Sequence, residues 1–221
     1  MNNLDGIVSL FLACIEIVLF VNMLVFADKN RINVLIFVII FLLAGYQILE
    51  YFICGISIKS SFMAFLAFAD ISLLPPLSFI LVLTYLQIKS WSKWLIFIPA
   101  LFFIIYYSGE IDKFAVVKCT VIYATYHYPL GTLYGVFYYL PIFVSFFLLV
   151  NGIRKGIPVT IKQTKLLLTG HYFIIIPVVT SFILLLLNLT GLLNNIESIL
   201  CKFAFGYAVI LAFFALNNRK I

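Results

Sequence analysis

Seven long apolar runs constrain the fold of this chain more than any other feature. They extend over Gly6 to Phe26, Ile32 to Cys54, Ser61 to Leu86, Trp91 to Tyr107, Thr132 to Val150, Leu166 to Asn188, and Ile196 to Leu216. A helix needs about 20 apolar residues to cross a bilayer. With 65% hydrophobic and 10% charged residues, the chain also departs from soluble domains, which are about a quarter charged. We therefore expect an all-α membrane protein: one domain, residues 1–221, folded as a seven-transmembrane helix bundle.

Prolines inside these runs predict local breaks in the helices. Pro75, Pro76, Pro99, Pro141 and Pro177 all lie within predicted spans. Each proline lacks the N–H that an α-helix needs, which membrane proteins tolerate where neighbouring groups satisfy the backbone. The consecutive pair in the third run predicts the strongest kink. The fourth run is the shortest and contains Pro99, so it lies at the lower limit of a span.

The distribution of lysine and arginine predicts the orientation. Cytoplasmic loops carry an excess of these residues. One side of the predicted bundle would hold Lys29, Arg31, Lys89, Lys93, Arg154, Lys155, Lys162, Lys165, Arg219 and Lys220, and the other would hold Lys59, Lys113 and Lys118. The sequence therefore predicts an N-terminus outside, a C-terminus inside, and a multi-pass location in a bacterial inner membrane. Because the basic residues form small groups and no long patch, a nucleic-acid partner is not expected.

The one long connection joins the fourth and fifth runs. Residues 108–131 include a stretch from Ala115 to Tyr128 that is rich in β-branched and aromatic residues, which favour extended chain. The sequence predicts a short extracellular strand or hairpin over the mouth of the bundle. An irregular loop anchored at the interface by its tyrosines fits the same residues.

Three ionisable residues are predicted within the membrane. Charged groups at this depth are costly and normally face the bundle interior or a wet cavity. From a rise of 1.5 Å per residue, Glu16, Asp70 and Lys202 should all lie roughly 10 to 15 Å below the outer surface. They would form one layer, with Lys202 paired to Asp70 or Glu16. Such a layer is either a ligand site or an ion pair that only fixes helix register.

Glu50 is placed within about one turn of the outer end of the second run. It is interpreted as a surface carboxylate that reaches interfacial water, with a cavity entrance as the alternative role. Cys54 and Cys119 both fall on the outer side and could form a disulfide if the exterior is oxidising. Sequence alone does not give the distance between them.

No catalytic or metal signature accompanies these residues. His127 and His171 lie at opposite faces, no H-E-x-x-H pattern or His/Cys cluster is present, and there is no G-x-S-x-G motif. We therefore expect no metal and no cofactor, and an enzyme is not the favoured reading.

Several segments resemble the seven-helix sensor region at the N-terminus of some bacterial histidine kinases. The segments are Gly45-Tyr-Gln-Ile-Leu-Glu-Tyr51, Leu73-Leu-Pro-Pro-Leu77, Trp94-Leu-Ile-Phe-Ile-Pro99, and Lys162-Gln-Thr-Lys-Leu-Leu-Leu168 followed by Pro177. In that family the membrane region is taken to sense a signal and pass it to an attached cytoplasmic domain. This sequence stops at Ile221, so the resemblance implies a separate output partner or a truncated chain.

Other residues resemble microbial rhodopsins. Ala69-Asp70 with Pro76, Pro177-Val-Val179 and Lys202-Phe-Ala-Phe-Gly206 fall on the corresponding helices. The resemblance implies a retinal bound to Lys202 with Asp70 as its counterion. Ala67, Phe173 and Ser198 depart from the family pattern, in which an arginine, a tryptophan and a second acid are expected.

The leading functional prediction is a receptor-like or sensor-like protein for signal transduction. A small molecule or lipid would bind in an outward-facing cavity near Glu16, Glu50, Asp70 and Lys202, because such pockets are apolar with a few convergent polar groups. The basic segment from Arg154 to Lys165 would meet a cytoplasmic signalling protein. The alternatives are a transporter or lipid-active enzyme using the Asp70/Glu16/Lys202 layer, a retinal protein through Lys202, and a structural protein without ligand.

Overall fold

The computed structural model describes residues 5–88, 91–154, 161–187 and 190–218. Most of these residues are helical. The helices are α1 (Ile7–Phe26), α2 (Arg31–Cys54), α3 (Ser61–Ser72), α4 (Leu74–Tyr85), α5 (Phe97–Ser108), α6 (Gly131–Arg154), α7 (Ile161–Leu186) and α8 (Thr190–Asn217). Short 3₁₀ helices span Trp91–Ile96 and Ile111–Lys113, and two strands, β1 (Ala115–Cys119) and β2 (Ala124–His127), precede α6.

Among the described residues, six helical segments are long and apolar enough to cross a membrane. They are Ile7–Phe26, Arg31–Cys54, Ser61–Tyr85, Leu133–Arg154, Ile161–Leu184 and Ile199–Asn217, and a shorter apolar helix covers Lys93–Ser108. Large apolar side chains such as Phe26, Ile105 and Val25 are about two-thirds exposed or more. Apolar surface on this scale is abnormal for a protein in water. The chain is therefore a helical, multi-pass integral membrane protein, as the apolar runs predict at this level.

The third predicted span is broken where the sequence places its two prolines. Helix α3 ends at Ser72 and α4 begins at Leu74, one residue before Pro75. Neither Pro75 nor Pro76 has an N–H to donate to the carbonyl of the preceding turn. The Leu73 N–H instead bonds to the carbonyl of Asp70 at 3.3 Å, a tighter turn than that of an α-helix. The fourth predicted span is likewise split into the 3₁₀ segment Trp91–Ile96 and α5.

The connection between α5 and α6 forms a β-hairpin, so the alternative of an irregular loop is wrong. Strands β1 and β2 pair antiparallel, with Cys119 opposite Ala124 and Val116 opposite Tyr126. The turn is organised by Thr120, whose hydroxyl donates to the carbonyl of Tyr123 at 2.8 Å and accepts the N–H of Tyr123 at 3.0 Å. This local network fixes the turn without a glycine.

The bundle core lies between α2, α4, α6, α7 and α8. Its largest buried cluster includes Ile40, Leu81, Leu149, Leu167 and Leu211. Helix α1 packs along α2, and α7 packs along α8. Gly206 of α8 leaves space for the ring of Phe173 in α7. A Cβ at this position would lie 2.5 Å from Cδ1 of Phe173.

A cluster of asparagines closes the end of the bundle opposite the hairpin. Asn33 is fully buried, and its amide donates to the carbonyls of Asp28 at 2.7 Å and Ala215 at 3.3 Å. The amide of Asn218 donates to Oδ1 of Asn33 at 3.1 Å. These bonds join the α1–α2 connection to the end of α8 without using a charged side chain.

Part of the predicted basic surface lies outside the described residues. Lys89, Lys155, Arg219 and Lys220 belong to that part, whereas Lys29, Arg31, Lys93, Arg154, Lys162 and Lys165 are described.

Candidate functional site

Lys202 is the centre of a polar site near the hairpin end of the bundle. Its ammonium group donates to Gln47 Oε1 at 2.7 Å, to Ser9 Oγ at 2.8 Å and to Glu50 Oε2 at 2.9 Å. An ammonium has three N–H donors, so these bonds satisfy it fully. Lys202 thereby links α8 to α1 and α2 in one contact.

Glu50 connects this site to the hairpin. Its Oε2 accepts from Lys202, and its Oε1 accepts the backbone N–H of Ala124 in β2 at 3.0 Å. The side chain is only 1% exposed, so the interpretation of Glu50 as a surface carboxylate is wrong. The sequence places Glu50 near a helix end, but it does not show that the hairpin folds back over that end. A buried carboxylate of this kind requires its partners, because removing one leaves an uncompensated charge.

The predicted pairing of Lys202 with Asp70 or Glu16 is wrong. Lys202 reaches Ser9 in the first turn of α1, whereas Glu16 lies seven residues, or about 10 Å, further along that helix. Asp70 lies against Gly45 of α2, five residues or about 7.5 Å below Glu50. The single layer therefore separates into an ion pair near the hairpin and two deeper carboxyls.

The deeper carboxyls have buried oxygens without hydrogen-bond partners among the described residues. Glu16 is fully buried, and neither of its carboxyl oxygens has a hydrogen-bond partner among the described residues; the same holds for Oδ2 of Asp70. Lys202 acts on Glu16 electrostatically without bonding to it. Glu16 is therefore a buried carboxyl outside the Lys202–Glu50 ion pair.

A disulfide and the start of α1 hold the hairpin in place. Cys54, one turn after Glu50, is joined to Cys119 of β1, the pairing that the sequence allows. The N–H of Gly6 donates to the carbonyl of Thr120 at 2.9 Å, which satisfies a donor at the helix N-terminus. Gly6 has φ +73°, and a Cβ there would lie 3.2 Å from Cβ of Cys54, so glycine fits this position best.

The inner face of the hairpin packs on a small apolar cluster. Ala124 is buried together with Tyr46, Ile53, Cys54 and Ala67, and Ile71, Tyr126 and Cys201 pack around them. Burial raises the pKa of the Tyr126 phenol well above its usual range, and the neighbouring Glu50 carboxylate adds to this effect. The inner face of the hairpin therefore contacts the bundle through apolar side chains and the charge-assisted bond from Ala124 to Glu50, in addition to the disulfide and the bond from Gly6.

A cavity lies beneath this cluster, between α2, α3, α4, α6, α7 and α8. Its interior volume is about 40 Å³, well below the roughly 300 to 1,000 Å³ of drug-sized ligand sites, so it accommodates a small ligand or one end of a larger one. Its walls are formed by Ile39, Leu43, Tyr46, Ile71, Leu74, Pro75, Ser78, Tyr138, Ile142, Ile174, Leu200, Cys201, Ala204 and Tyr207. Tyr46, Ile71 and Cys201 belong both to the cavity wall and to the cluster under the hairpin. The hairpin thus forms a second layer above the cavity.

Sequence reasoning identifies the charges of the site but misses its neutral partners. Ser9 and Gln47 complete the Lys202 network, and Ser78, His171 and Tyr207 form a hydrogen-bonded group at the cavity wall. The partners of hydroxyl and amide side chains inside apolar runs cannot be predicted from sequence spacing. They depend on how each helix is rotated about its axis relative to its neighbours. Gln47 could have been suspected, since it lies one turn before Glu50 on the same helix face.

Within the described residues no three His, Cys, Asp or Glu side chains gather closely enough to hold a metal ion. No protein-family model, curated protein or solved structure matches this chain. The resemblances to histidine-kinase sensor regions and to microbial rhodopsins therefore stay predictions, and the function has to be inferred from the geometry of the site.

Proposed function

We propose that this chain is a receptor-like membrane sensor that binds a small apolar molecule or lipid in the cavity between α2, the α3–α4 break, α6, α7 and α8. The observation that carries the proposal is the shared wall: Tyr46, Ile71 and Cys201 line the cavity and also support the hairpin. A molecule in the cavity therefore touches the groups that position the outer layer of the protein.

The proposed orientation places the hairpin and the N-terminus outside and the C-terminus inside a bacterial inner membrane. The Cys54–Cys119 disulfide at the hairpin end supports it, because disulfides persist in oxidising compartments. The excess of lysine and arginine in the other connections supports it independently. The 3₁₀ segment together with α5 would then make a seventh crossing.

The proposed mechanism is a shift of α8 against α2. Cys201 lines the cavity, and the next residue, Lys202, holds Glu50. A ligand that favours one position of α8 would change the Lys202–Glu50 contact and with it the bond to Ala124. It can do so only by binding one arrangement more tightly than the other. The signal would leave through a separate cytoplasmic protein at the basic surface around Arg154, Lys162 and Lys165.

The geometry favours this reading over a retinal pigment. The Lys202 amine bonds to Ser9, Gln47 and Glu50 on the α1–α2 side, whereas the α8 residues on the cavity wall are Leu200, Cys201, Ala204 and Tyr207. A retinal linked to Lys202 would require this amine to leave three hydrogen bonds.

Whether the purified protein retains a bound molecule in this cavity can be tested directly. The full chain is purified in nanodiscs from cells supplied with retinal, and native mass spectrometry and a visible spectrum are recorded. We expect a defined bound molecule that is lost in Ala204→Phe, which fills the cavity, and kept in Val209→Phe, which changes an exposed position of the same helix. An empty wild-type protein would contradict the proposal, and a visible band lost in Lys202→Met would establish the pigment instead.

A second candidate, an ion-coupled transporter, is favoured by one observation: the buried carboxyl of Glu16 with no hydrogen-bond partner among the described residues. Such a carboxyl is a common site of proton or cation coupling in membrane proteins. In liposomes, an ion flux that Glu16→Gln abolishes would support this candidate, and a wild-type protein without flux would reject it.

A further inference from the structure

Three buried side chains form a hydrogen-bonded chain at the wall of the cavity. Ser78 of α4 lies 2.8 Å from the hydroxyl of Tyr207 in α8 and 3.3 Å from Nε2 of His171 in α7. Nδ1 of His171 lies 3.0 Å from the carbonyl oxygen of Leu167. Ser78 and Tyr207 line the cavity, and His171 lies behind them, fully buried.

The chemistry of the four groups fixes the direction of these bonds. The carbonyl of Leu167 can only accept, so Nδ1 of His171 must carry a hydrogen. In the neutral ring Nε2 is then an acceptor, and the Ser78 hydroxyl donates to it. Because Ser78 has a single hydrogen, it accepts from Tyr207. Every hydrogen of the chain is used internally, and the lone pairs of the Tyr207 oxygen remain for another molecule.

The rest of the cavity selects against a charged ligand. None of its lining residues is charged, and most are aliphatic or aromatic. The polar groups besides Ser78 and Tyr207 are the phenols of Tyr46 and Tyr138 and the thiol of Cys201. An anionic headgroup or a phosphate would lose its hydration here without gaining a cation.

We propose that the cavity selects a small apolar alcohol whose hydroxyl donates to the Tyr207 oxygen beside Ser78. This inference rests on the proposed function, because it names the ligand class of the same cavity. The hydroxyl supplies the donor that the Ser78–His171–Tyr207 chain lacks, and the hydrocarbon fills the apolar wall.

Gly170 leaves the space in which the Tyr207 ring lies, with its hydroxyl at the cavity wall. A Cβ at Gly170 would lie 2.9 Å from Cδ2 of the Tyr207 ring. The ring of His171 contacts the same tyrosine edge to face at 5.2 Å. The Tyr207 ring therefore packs closely against Gly170 and His171 of α7, and this packing positions its hydroxyl oxygen at the cavity as a hydrogen-bond acceptor. Gly170 is a positioning residue for this acceptor.

The test compares an alcohol with an isomeric ether, which accepts but does not donate hydrogen bonds. Binding of 1-butanol and of its isomer methyl propyl ether is measured by saturation-transfer NMR on the full chain in nanodiscs. We expect the wild type to prefer the alcohol by about tenfold, the usual effect of one buried hydrogen bond. Tyr207→Phe should abolish the preference, whereas Tyr172→Phe, a tyrosine exposed on α7, should keep it.

A second variant tests the direction of the chain itself. In Ser78→Ala the Tyr207 hydroxyl loses its acceptor and becomes free to donate, so affinity for the ether should rise toward that for the alcohol. Gly170→Ala, which displaces the ring, should reduce the preference for the alcohol without removing binding of the ether.

Equal affinities in the wild type, or a preference for the ether, would overturn the inference. If Ala204→Phe still abolishes binding of both probes in that case, the cavity binds ligands and the proposed function stands. If neither probe binds, the alcohol inference is wrong, and the molecule retained from cells decides the proposed function separately.

Discussion

The two ends of the bundle are closed by different chemistry. At the hairpin end, one lysine, one carboxylate and one disulfide join α1, α2, α8 and the hairpin. At the opposite end, Asn33 and Asn218 join the α1–α2 connection to α8 through neutral amides and backbone carbonyls. The first closure includes an ion pair, whereas the bonds that Asn33 and Asn218 make at the second join neutral groups.

This difference indicates which end of the bundle can change its conformation. The Lys202–Glu50 ion pair bridges α8 and α2, so a shift of α8 against α2 would break it. The side-chain amide and oxygen of Asn33 are all committed to partners within the asparagine cluster. We therefore expect the hairpin end to move when the cavity is occupied and the asparagine end to act as the fixed point.

The largest expected effect comes from breaking the ion pair on one side only. Lys202→Met leaves the Glu50 carboxylate buried without its cation, which should lower the free energy of unfolding by about 3 to 5 kcal/mol. Adding Glu50→Gln keeps an acceptor for Ala124 and removes the charge, so it should restore most of the loss.

Denaturant unfolding of the wild type, the two single variants and the double variant measures these changes in the free energy of unfolding. Lys113→Met is the matched control, because Lys113 forms an exposed pair with Glu110 at 2.8 Å and should change stability little. Losses that simply add in the double variant would show that Lys202 and Glu50 do not act as a pair.

The second effect concerns the disulfide at the same end. Replacing both Cys54 and Cys119 by serine should lower stability by about 2 to 4 kcal/mol, because the cross-link restricts a long segment of the unfolded chain. Reductant should reproduce the loss in the wild type. Cys14→Ser, at an exposed free cysteine, serves as the control. Insensitivity of the wild type to reductant would mean that the bond does not hold the hairpin.

The smallest of the three effects is expected at the opposite end. Asn33→Ala leaves the amide of Asn218 without its acceptor and removes two donors, which should cost about 1 to 3 kcal/mol. Asn22→Ala changes an exposed asparagine that bonds only within its own helix and should cost less. Thermal unfolding of both variants ranks them, and a larger loss for Asn22→Ala would contradict the role of the cluster.

The sequence predicts the helices, and a hairpin as one of two alternatives for the long connection, for a physical reason. Span length and the enrichment of β-branched residues are local properties, and the membrane leaves few alternatives for a long apolar run. The break at Leu73 follows from Pro75 and Pro76 in the same way. The disulfide could be stated only as possible, because the distance from Cys54 to Cys119 depends on how the hairpin folds back.

The partner of Lys202 could not be predicted from the sequence, because residue spacing gives the depth of a backbone position and not the direction of its side chain. A lysine side chain spans about a helical turn, and here it extends toward the first turn of α1, so its charge lies at the level of Ser9. The burial of Glu50 could not be predicted, because the residues around it in the sequence do not show that Ala124 of β2 covers it. The Ser78–His171–Tyr207 chain depends on the mutual rotation of three helices, which a single sequence does not encode visibly.

Hydrogen exchange at the Ala124 amide tests the central claim most directly, since this N–H bonds to the carboxylate that holds Lys202. If Glu50 joins α8 to the hairpin, Lys202→Met should accelerate exchange of Ala124 and its neighbours in β2, while Asn33→Ala should leave them protected. Unchanged protection in Lys202→Met would show that the hairpin is held independently of the ion pair and would contradict the coupling of the cavity wall to the outer face.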